Sequence, residues 1–318
     1  MKNIHWVMLL LLTACSVSTL IPTAPQTTTN LPPSVTFSPG PTSTVTAVPS
    51  ATPRPTGTDI STQVPTSSMD GAPVILVPSG EFMMGGKAED TLAACQEFGL
   101  SCSLYWFTNE EPPHTVYLDT FWIDQTEVTN AMYAKCVQAG KCNPPSETKS
   151  YARDTYYGDP QFDNYPVTYV SWNDANTYCS WTGRRLPTEA EWEKAARGED
   201  ARAYPWGNDP PNTGLLNYKH ALPDTTAVGT FPKGVSPYGV LDMAGNVWEW
   251  VADWYSETYY AISPASNPPG PESGTERVLR GGAFGSQVFN VRSTFRLVSE
   301  PAETHPWFGF RCARDATP

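Results

Sequence analysis

The chain has 318 residues and a formal net charge of −12, from 32 acidic and 20 basic side chains. Binding to nucleic-acid phosphates requires clustered lysine and arginine, and no long basic run occurs, so we expect no nucleic-acid partner. The sequence also contains no internal repeat, no P-loop and no dinucleotide-binding fingerprint after a strand, which excludes the nucleotide-binding classes that depend on these motifs.

The N-terminus carries a short apolar run that follows Lys2 and ends at Leu12-Thr13-Ala14-Cys15. This run is too short to span a bilayer, so residues 1–15 are predicted to be an export signal. The ending matches a bacterial lipobox, in which Cys15 becomes the lipidated first residue. We therefore expect a lipid anchor in the bacterial cell membrane, with the rest of the protein outside the cytoplasm. The alternative is an ordinary signal peptide with an incidental cysteine.

Residues 16–72 are rich in Ser, Thr and Pro, with one aromatic residue, Phe37. Such a segment cannot bury enough apolar surface to offset its ordering entropy, so it is predicted to be a disordered stalk. Residues 73–318 contain the Trp and Tyr that a packed core requires, and their length suits one large domain.

Seven cysteines become six once Cys15 is assigned to lipid, and an even set in an exported domain indicates disulfides. Six cysteines allow fifteen connectivities. Cys95 with Cys102 and Cys136 with Cys142 are close enough in sequence to close small loops, which leaves Cys179 and Cys312. Free buried thiols are the alternative.

The first predicted elements of the domain are strands. Residues 74–77 and 80–85 flank a Pro-Ser-Gly turn, and "HTVYLDTFWIDQTEVT" continues the pattern. Three helices follow, each with an N-cap and a terminal glycine, at 129–140, 171–183 and 188–198. Beyond them the chain is rich in Gly, Pro and Asn, which predicts irregular loops with short strands at 278–284 and 308–312.

Several long motifs then occur in a recognisable order: "VPSGEFMMGG", "EVTNAMYAKC", "YPVTYVSWNDANTYCSWTGRRLPTEAEWEKAARG", "GVLDMAGNVWEWVADWY", "RVLRGGAF" and "FGFRCARD". Over residues 73–315 the sequence resembles the formylglycine-generating enzymes, or sulfatase-modifying factors. The resemblance implies an α+β fold related to C-type lectins, with few helices, short strands and much irregular loop. It also implies a disulfide between Cys179 and Cys312.

The resembled enzymes use a copper-bound cysteine pair and oxygen to convert a sulfatase cysteine to formylglycine. Copper(I) prefers soft thiolates, yet Ser286 stands at the first cysteine position and Asn290 or Val291 at the second. Ala283 replaces a serine of the family's site. Copper is therefore not expected, and no catalytic residue is assigned.

Two groups of site residues follow from the resemblance. The first is the expected lining of a binding cleft: Arg280, Ser286, Asn290, Arg292, Arg296 and Trp307. The second is a set of oxygen ligands for structural calcium, with one site at Asp242, Gly245, Val247 and Glu249 and a weaker one at Asn217 and Tyr218, with Asp224 as a further candidate. The alternative is that Asp242 caps a turn and Glu249 pairs with an arginine.

The histidine and tryptophan residues do not indicate a further metal or sugar-binding site. The histidines are scattered, so no histidine metal site is expected. Trp248, Trp250 and Trp254 lie at near-helical spacing and are expected to be core residues and not a sugar platform.

Three functions remain open. The loss of the cysteine pair favours a surface-anchored module that binds an unidentified ligand or protein partner, so we expect binding and not catalysis. The second is an oxidoreductase of the same family that acts on sulfatase cysteine or another substrate. The third is a lectin-like binding protein with a diversified loop at residues 283–307.

Overall fold

A computed structural model describes residues 65–316. Cys15, the predicted export signal and most of the predicted stalk lie outside the described residues. Within 65–316 the α-helices are α1 (Ala88–Glu97), α2 (Asn130–Gln138), α3 (Trp172–Trp181) and α4 (Glu189–Arg197). The strands are β1 (Val74–Val77), β2 (Gly80–Met84), β3 (His114–Leu118), β4 (Phe121–Asp124), β5 (Trp248–Trp254), β6 (Arg277–Arg280), β7 (Leu297–Ser299), β8 (Phe308–Phe310) and β9 (Ala313–Asp315).

The strands form three small sheets separated by long loops. Two are antiparallel, with orders β1-β4-β9 and β2-β3. The third has the order β7-β6-β5-β8, and β5 pairs with β8 in parallel. Few helices, short strands and much loop confirm the predicted α+β class. No helix within residues 65–316 has the length and hydropathy needed to cross a membrane.

The predicted helices α2, α3 and α4 are present because their first turns are capped. The Thr129 hydroxyl accepts from the Met132 amide at 3.3 Å, and Ser171 and Thr188 each form a complete capping box. Helix α1 was not predicted, because no side chain caps its N-terminus and its sequence lacks a start signal.

The strand predicted at 278–284 ends at Arg280, earlier than expected. Gly281 and Gly282 adopt φ values of 91° and 79°, which turn the chain out of the sheet. A Cβ at Gly282 would lie 2.7 Å from Cγ1 of Val291, so the segment that follows passes close beneath this turn. The strand predicted at 308–312 likewise ends early, at Phe310, and the unpredicted strand β9 begins at Ala313.

The structure contains three disulfides: Cys95–Cys102, Cys136–Cys142 and Cys179–Cys312. Cys179 and Cys312 are 133 residues apart in sequence, and both side chains are fully buried. This bond joins α3 to the segment between β8 and β9. It therefore ties the middle of the chain to the C-terminal strands that flank the loops.

The domain begins earlier than predicted, because residues 65–72 pack against it. Thr66 forms a bridge with Pro73, and the Asp70 side chain is buried between Arg184 and the Tyr178 hydroxyl. Burial alone would raise the pKa of Asp70, but the Arg184 guanidinium and several hydrogen bonds lower it below its ordinary value. A buried ion pair inside a segment of stalk-like composition explains why composition placed the boundary too late.

Asp70→Asn is expected to lower the free energy of unfolding by roughly 3 kcal/mol, because Arg184 loses one of its two buried carboxylate partners. Asp315→Asn is the matched control. It removes an ion pair to Arg185 from a side chain that is 75% exposed, and should change stability by less than about 1 kcal/mol. Urea unfolding measures both, and equal effects would contradict a structural role for residues 65–72.

Candidate functional site

An open pocket of about 530 Å³ lies against the loop that follows β6. Its lining residues are Tyr151, His220, Trp248, Ala283, Phe284, Gly285, Ser286, Asn290, Leu297 and Trp307. Three of the six residues predicted to line a cleft, Ser286, Asn290 and Trp307, lie together in this pocket.

The loop from 283 to 291 holds its polar side chains in place through local hydrogen bonds. The Ser286 hydroxyl accepts from the Ala283 amide at 2.8 Å, and the Asn290 carbonyl oxygen accepts from the Gln287 amide at 3.0 Å. Asn290 lines the pocket, whereas Val291 is fully buried beneath the Gly282 turn. The two candidates for the second cysteine position therefore differ in location, because Asn290 faces the pocket and Val291 faces the protein interior.

Aromatic rings form much of the pocket wall. The centroid of the Tyr151 ring lies 5.5 Å from Phe284, 5.8 Å from His220 and 6.4 Å from Trp307. Trp307 stacks on His305 at 5.2 Å with an interplanar angle of 9°. The fold therefore brings together groups that are up to about 150 residues apart in sequence, and none of these ring pairs has a local sequence signal.

The three arginines predicted to line the cleft do not line it. Arg280 donates to Glu193 at 2.6 Å, Arg296 to Glu189 at 2.7 Å, and Arg292 to Glu110 at 2.5 Å. All three guanidinium groups are buried. A buried guanidinium requires a carboxylate partner, and α4 together with residues 108–110 provides three. The prediction was wrong because these acidic partners are distant in sequence.

Sequence reasoning missed Tyr151, His220, Phe284 and Leu297 as pocket residues. It expected Trp248 to be core, and the structure gives that side chain both roles, since it is 6% exposed and lines the pocket. Trp250 is fully buried, as expected. Trp254 is half-buried, and its ring packs 3.4 Å from the Arg277 guanidinium carbon.

The first predicted calcium set fits a cation only in part. Both oxygens of Glu249 are occupied by Arg311, at 2.6 and 2.7 Å, and one also accepts from the Trp192 indole. Asp242 has a φ of 57° and accepts from the Gly229 amide.

Glu127, which the sequence did not suggest, has a buried carboxylate oxygen with no partner among the described residues. Gly245 and Val247 lie in the same turn.

The acidic groups near this turn disfavour each other's ionisation. Burial is the first cause that raises the pKa of Glu127 well above its ordinary value, and the charges of Asp242 and Glu249 raise it further. Burial likewise raises the pKa of Asp242. Arg311 is their nearby cation, so three acids face one guanidinium. Within residues 65–316, however, no three His, Cys, Asp or Glu side chains converge as a metal site.

Most polar groups of the second predicted calcium set are engaged by protein partners. Asn217 donates to the Asp224 carbonyl, and its own side-chain oxygen is buried without a partner in the described chain. The Asp224 carboxylate is taken by Arg153, Ser150 and the Ala152 amide. The Tyr218 side chain donates to the Pro211 carbonyl.

A larger cavity of about 660 Å³ lies elsewhere, next to β3 and the start of α4. Arg185 in its lining pairs with both Glu191 and Asp315, and Asp119 adds a third acidic group. We therefore assign the candidate site to the aromatic pocket, whose position matches the active-site segment inferred from sequence.

Comparison with known proteins agrees with this architecture. The family described as "Sulfatase-modifying factor enzyme 1-like domain" matches residues 61–316. A formylglycine-generating enzyme from Streptomyces coelicolor is 36% identical, and the alignment covers 76% of this chain and 89% of that protein.

Two solved structures are similar over most of their length. PvdO from Pseudomonas aeruginosa has a TM-score of 0.63 and 25% identity, covering 80% of this chain and 98% of that one. Treponema denticola variable protein 1 has a TM-score of 0.58 and 24% identity, covering 76% of this chain and 94% of that one, and this similarity concerns the fold alone.

The ionic network behind the pocket predicts that stability falls at alkaline pH. Burial, and then the charge of Glu189, raises the pKa of Asp253 to about 8. A raised pKa means that folding favours the protonated acid, so its contribution is present at low pH and is lost as the pH rises through about 8. Each pH unit between the ordinary value and about 8 costs about 1.4 kcal/mol, so between pH 6 and pH 9 we expect a loss of roughly 2 to 3 kcal/mol from this group.

Asp253→Asn should remove that loss, because the amide oxygen can still accept from the Glu189 amide but cannot ionise. Asp209→Asn changes an exposed side chain and serves as the control. Urea unfolding at the two pH values measures the difference. An Asp253→Asn protein as alkali-sensitive as its parent would exclude Asp253 as the cause.

Proposed function

Since the chain belongs to the family of the sulfatase-modifying factor enzyme 1-like domain, we propose that it is a binding module of that family, which holds a ligand or protein partner in the aromatic pocket. The observation that carries the proposal is the composition of the pocket. The positions that would hold copper through thiolates are Ser286, which lines the pocket, and either Asn290, which also lines it, or Val291, which is buried outside it.

No other thiol among residues 65–316 can replace the missing pair. All six cysteines in this range are joined in disulfides. The hydroxyl of Ser286, the amide of Asn290 and the aliphatic side chain of Val291 are all poor ligands for copper(I), which prefers soft sulfur donors. Oxidation of a substrate cysteine by the copper route therefore lacks its ligands in this chain.

A pocket is present here although the cysteines are replaced. The Gly281-Gly282 turn directs the loop, and the ion pairs of Arg280 and Arg296 hold its two ends against α4. A cavity supported by buried structure and lined by aromatic rings is typical of ligand sites. Retention of such a cavity supports binding as its role.

We also propose that the domain is displayed at the cell surface. The support is the Leu12-Thr13-Ala14-Cys15 ending of the apolar run and the Ser/Thr/Pro-rich composition that follows it. A lipid chain on Cys15 would hold the protein on the membrane, and residues 65–316 would face outward. Three disulfides in the domain support an oxidising compartment.

The second candidate is an oxidoreductase of the family. Its support is the 36% identity to a protein named formylglycine-generating enzyme. The test uses a sulfatase-type cysteine peptide, copper and oxygen, with the Streptomyces coelicolor relative as the positive control and mass spectrometry as the readout. We expect the peptide mass to stay unchanged with the purified protein. An aldehyde mass that heat inactivation abolishes would establish the second candidate and reject ours.

Calcium is proposed as a structural ion at the Asp242 turn, with Glu127 in the role first expected for Glu249. The support is the unpartnered oxygen of Glu127 and the excess of buried acid around Arg311. A ligand that binds only the folded state stabilises it.

EDTA is expected to lower the melting temperature and added calcium to restore it. Glu127→Gln should abolish this response, because the amide cannot supply a carboxylate ligand. Glu303→Gln, an exposed change, is the control and should leave the response intact. Identical melting curves with EDTA and with calcium would count against the ion.

A further inference from the structure

The polar side chains of the pocket offer hydrogen-bond donors. The Ser286 oxygen already accepts from the Ala283 amide, so its own proton is available. The Asn290 carbonyl oxygen is occupied by the Gln287 amide, so its NH₂ group is available. The Trp248 indole also lines the pocket and can only donate. A ligand that fits these groups must bring acceptors.

Formal charge is absent from the lining. None of the ten lining residues is Asp, Glu, Lys or Arg, and the arginines nearest in sequence are buried in ion pairs with glutamates. A charged ligand would therefore lose hydration without gaining a counter-charge, which is costly. The fit is to an uncharged ligand with carbonyl oxygen.

The aromatic rings define the rest of the ligand. Tyr151 is 54% exposed and Trp307 is half-buried, so both present ring surface at the mouth of the pocket. Tyr151 and His220, which can donate and accept, stand at this rim. A saturated ring could rest on these aromatic faces with its hydroxyls directed to the rim and to water, while a short acyl group enters toward Trp248.

We propose that the pocket binds the N-acetyl group of an amino sugar. The acetyl carbonyl accepts from the inner donors, the methyl group packs among the aromatic rings, and the sugar ring stacks at the mouth. A peptide strand fits less well, since it has no saturated ring to stack on Tyr151 and Trp307 at the mouth. This inference rests on the proposed binding function and specifies its ligand.

The test compares three monosaccharides that share one ring: N-acetylglucosamine, glucose, which lacks the acyl group, and glucosamine, which is cationic. Binding to the purified protein is measured by ligand-detected NMR and by tryptophan fluorescence. We expect saturable binding of N-acetylglucosamine alone. An N-acetylated dipeptide amide is the fourth probe and is expected not to bind.

Two variants remove single donors and keep the shape. Trp248→Phe retains a ring without the N–H, and Asn290→Asp retains the oxygen that accepts from Gln287. Each should weaken binding about fivefold, the effect of one hydrogen bond. Trp206→Phe is the control, because its indole donates to the Asp209 carbonyl and it does not line the pocket.

Equal binding of glucose or glucosamine would overturn the proposal, as would binding of the dipeptide amide alone or no saturable binding of any probe. The last result, combined with an unchanged cysteine-peptide mass, would reject the sugar and leave the binding function standing. Formation of the aldehyde product would reject the function itself.

Discussion

Buried pairs of arginine and glutamate are the interaction on which the rest of the structure depends. Helix α4 is buried along its whole length, although it contains Glu189, Glu193 and Arg197. Arg280 and Arg296 reach these acids from the two sides of the loop that forms the pocket. Loss of one partner would leave an uncompensated buried charge. The ion pairs therefore hold the loop that forms the pocket in one stable position relative to α4.

This use of charge determines the chemistry of the pocket. The arginines that sequence reasoning placed in the cleft neutralise acids behind it, and the surface that remains is aromatic with a few neutral donors. The same arrangement holds the Gly281-Gly282 turn in place without the cysteines of the resembled oxidases. In this fold, the pocket and its reactive groups can therefore be separated. For this reason, similarity to the family supports the architecture of the chain more strongly than it supports the family's reaction.

Local signals in the sequence predicted local structure well. The caps of α2, α3 and α4, the strand character near residue 74 and the two short-range disulfides all depend on patterns that can be read along the chain. The resemblance supplied the order of the elements and the position of the active-site segment. The pairing of buried charges, the docking of Asp70 and the approach of Tyr151 to the pocket depend on tertiary contacts over about 70 to 190 residues, which no local pattern encodes.

Asn290 faces an open pocket, whereas Val291, at the neighbouring position, is sealed in the core. Reaction of single cysteines with a thiol reagent under native conditions tests this most directly. Asn290→Cys should be modified rapidly, whereas Val291→Cys should be modified only after unfolding. Rapid modification of both cysteines, or of Val291→Cys alone, would contradict the register of the loop and with it the pocket as described.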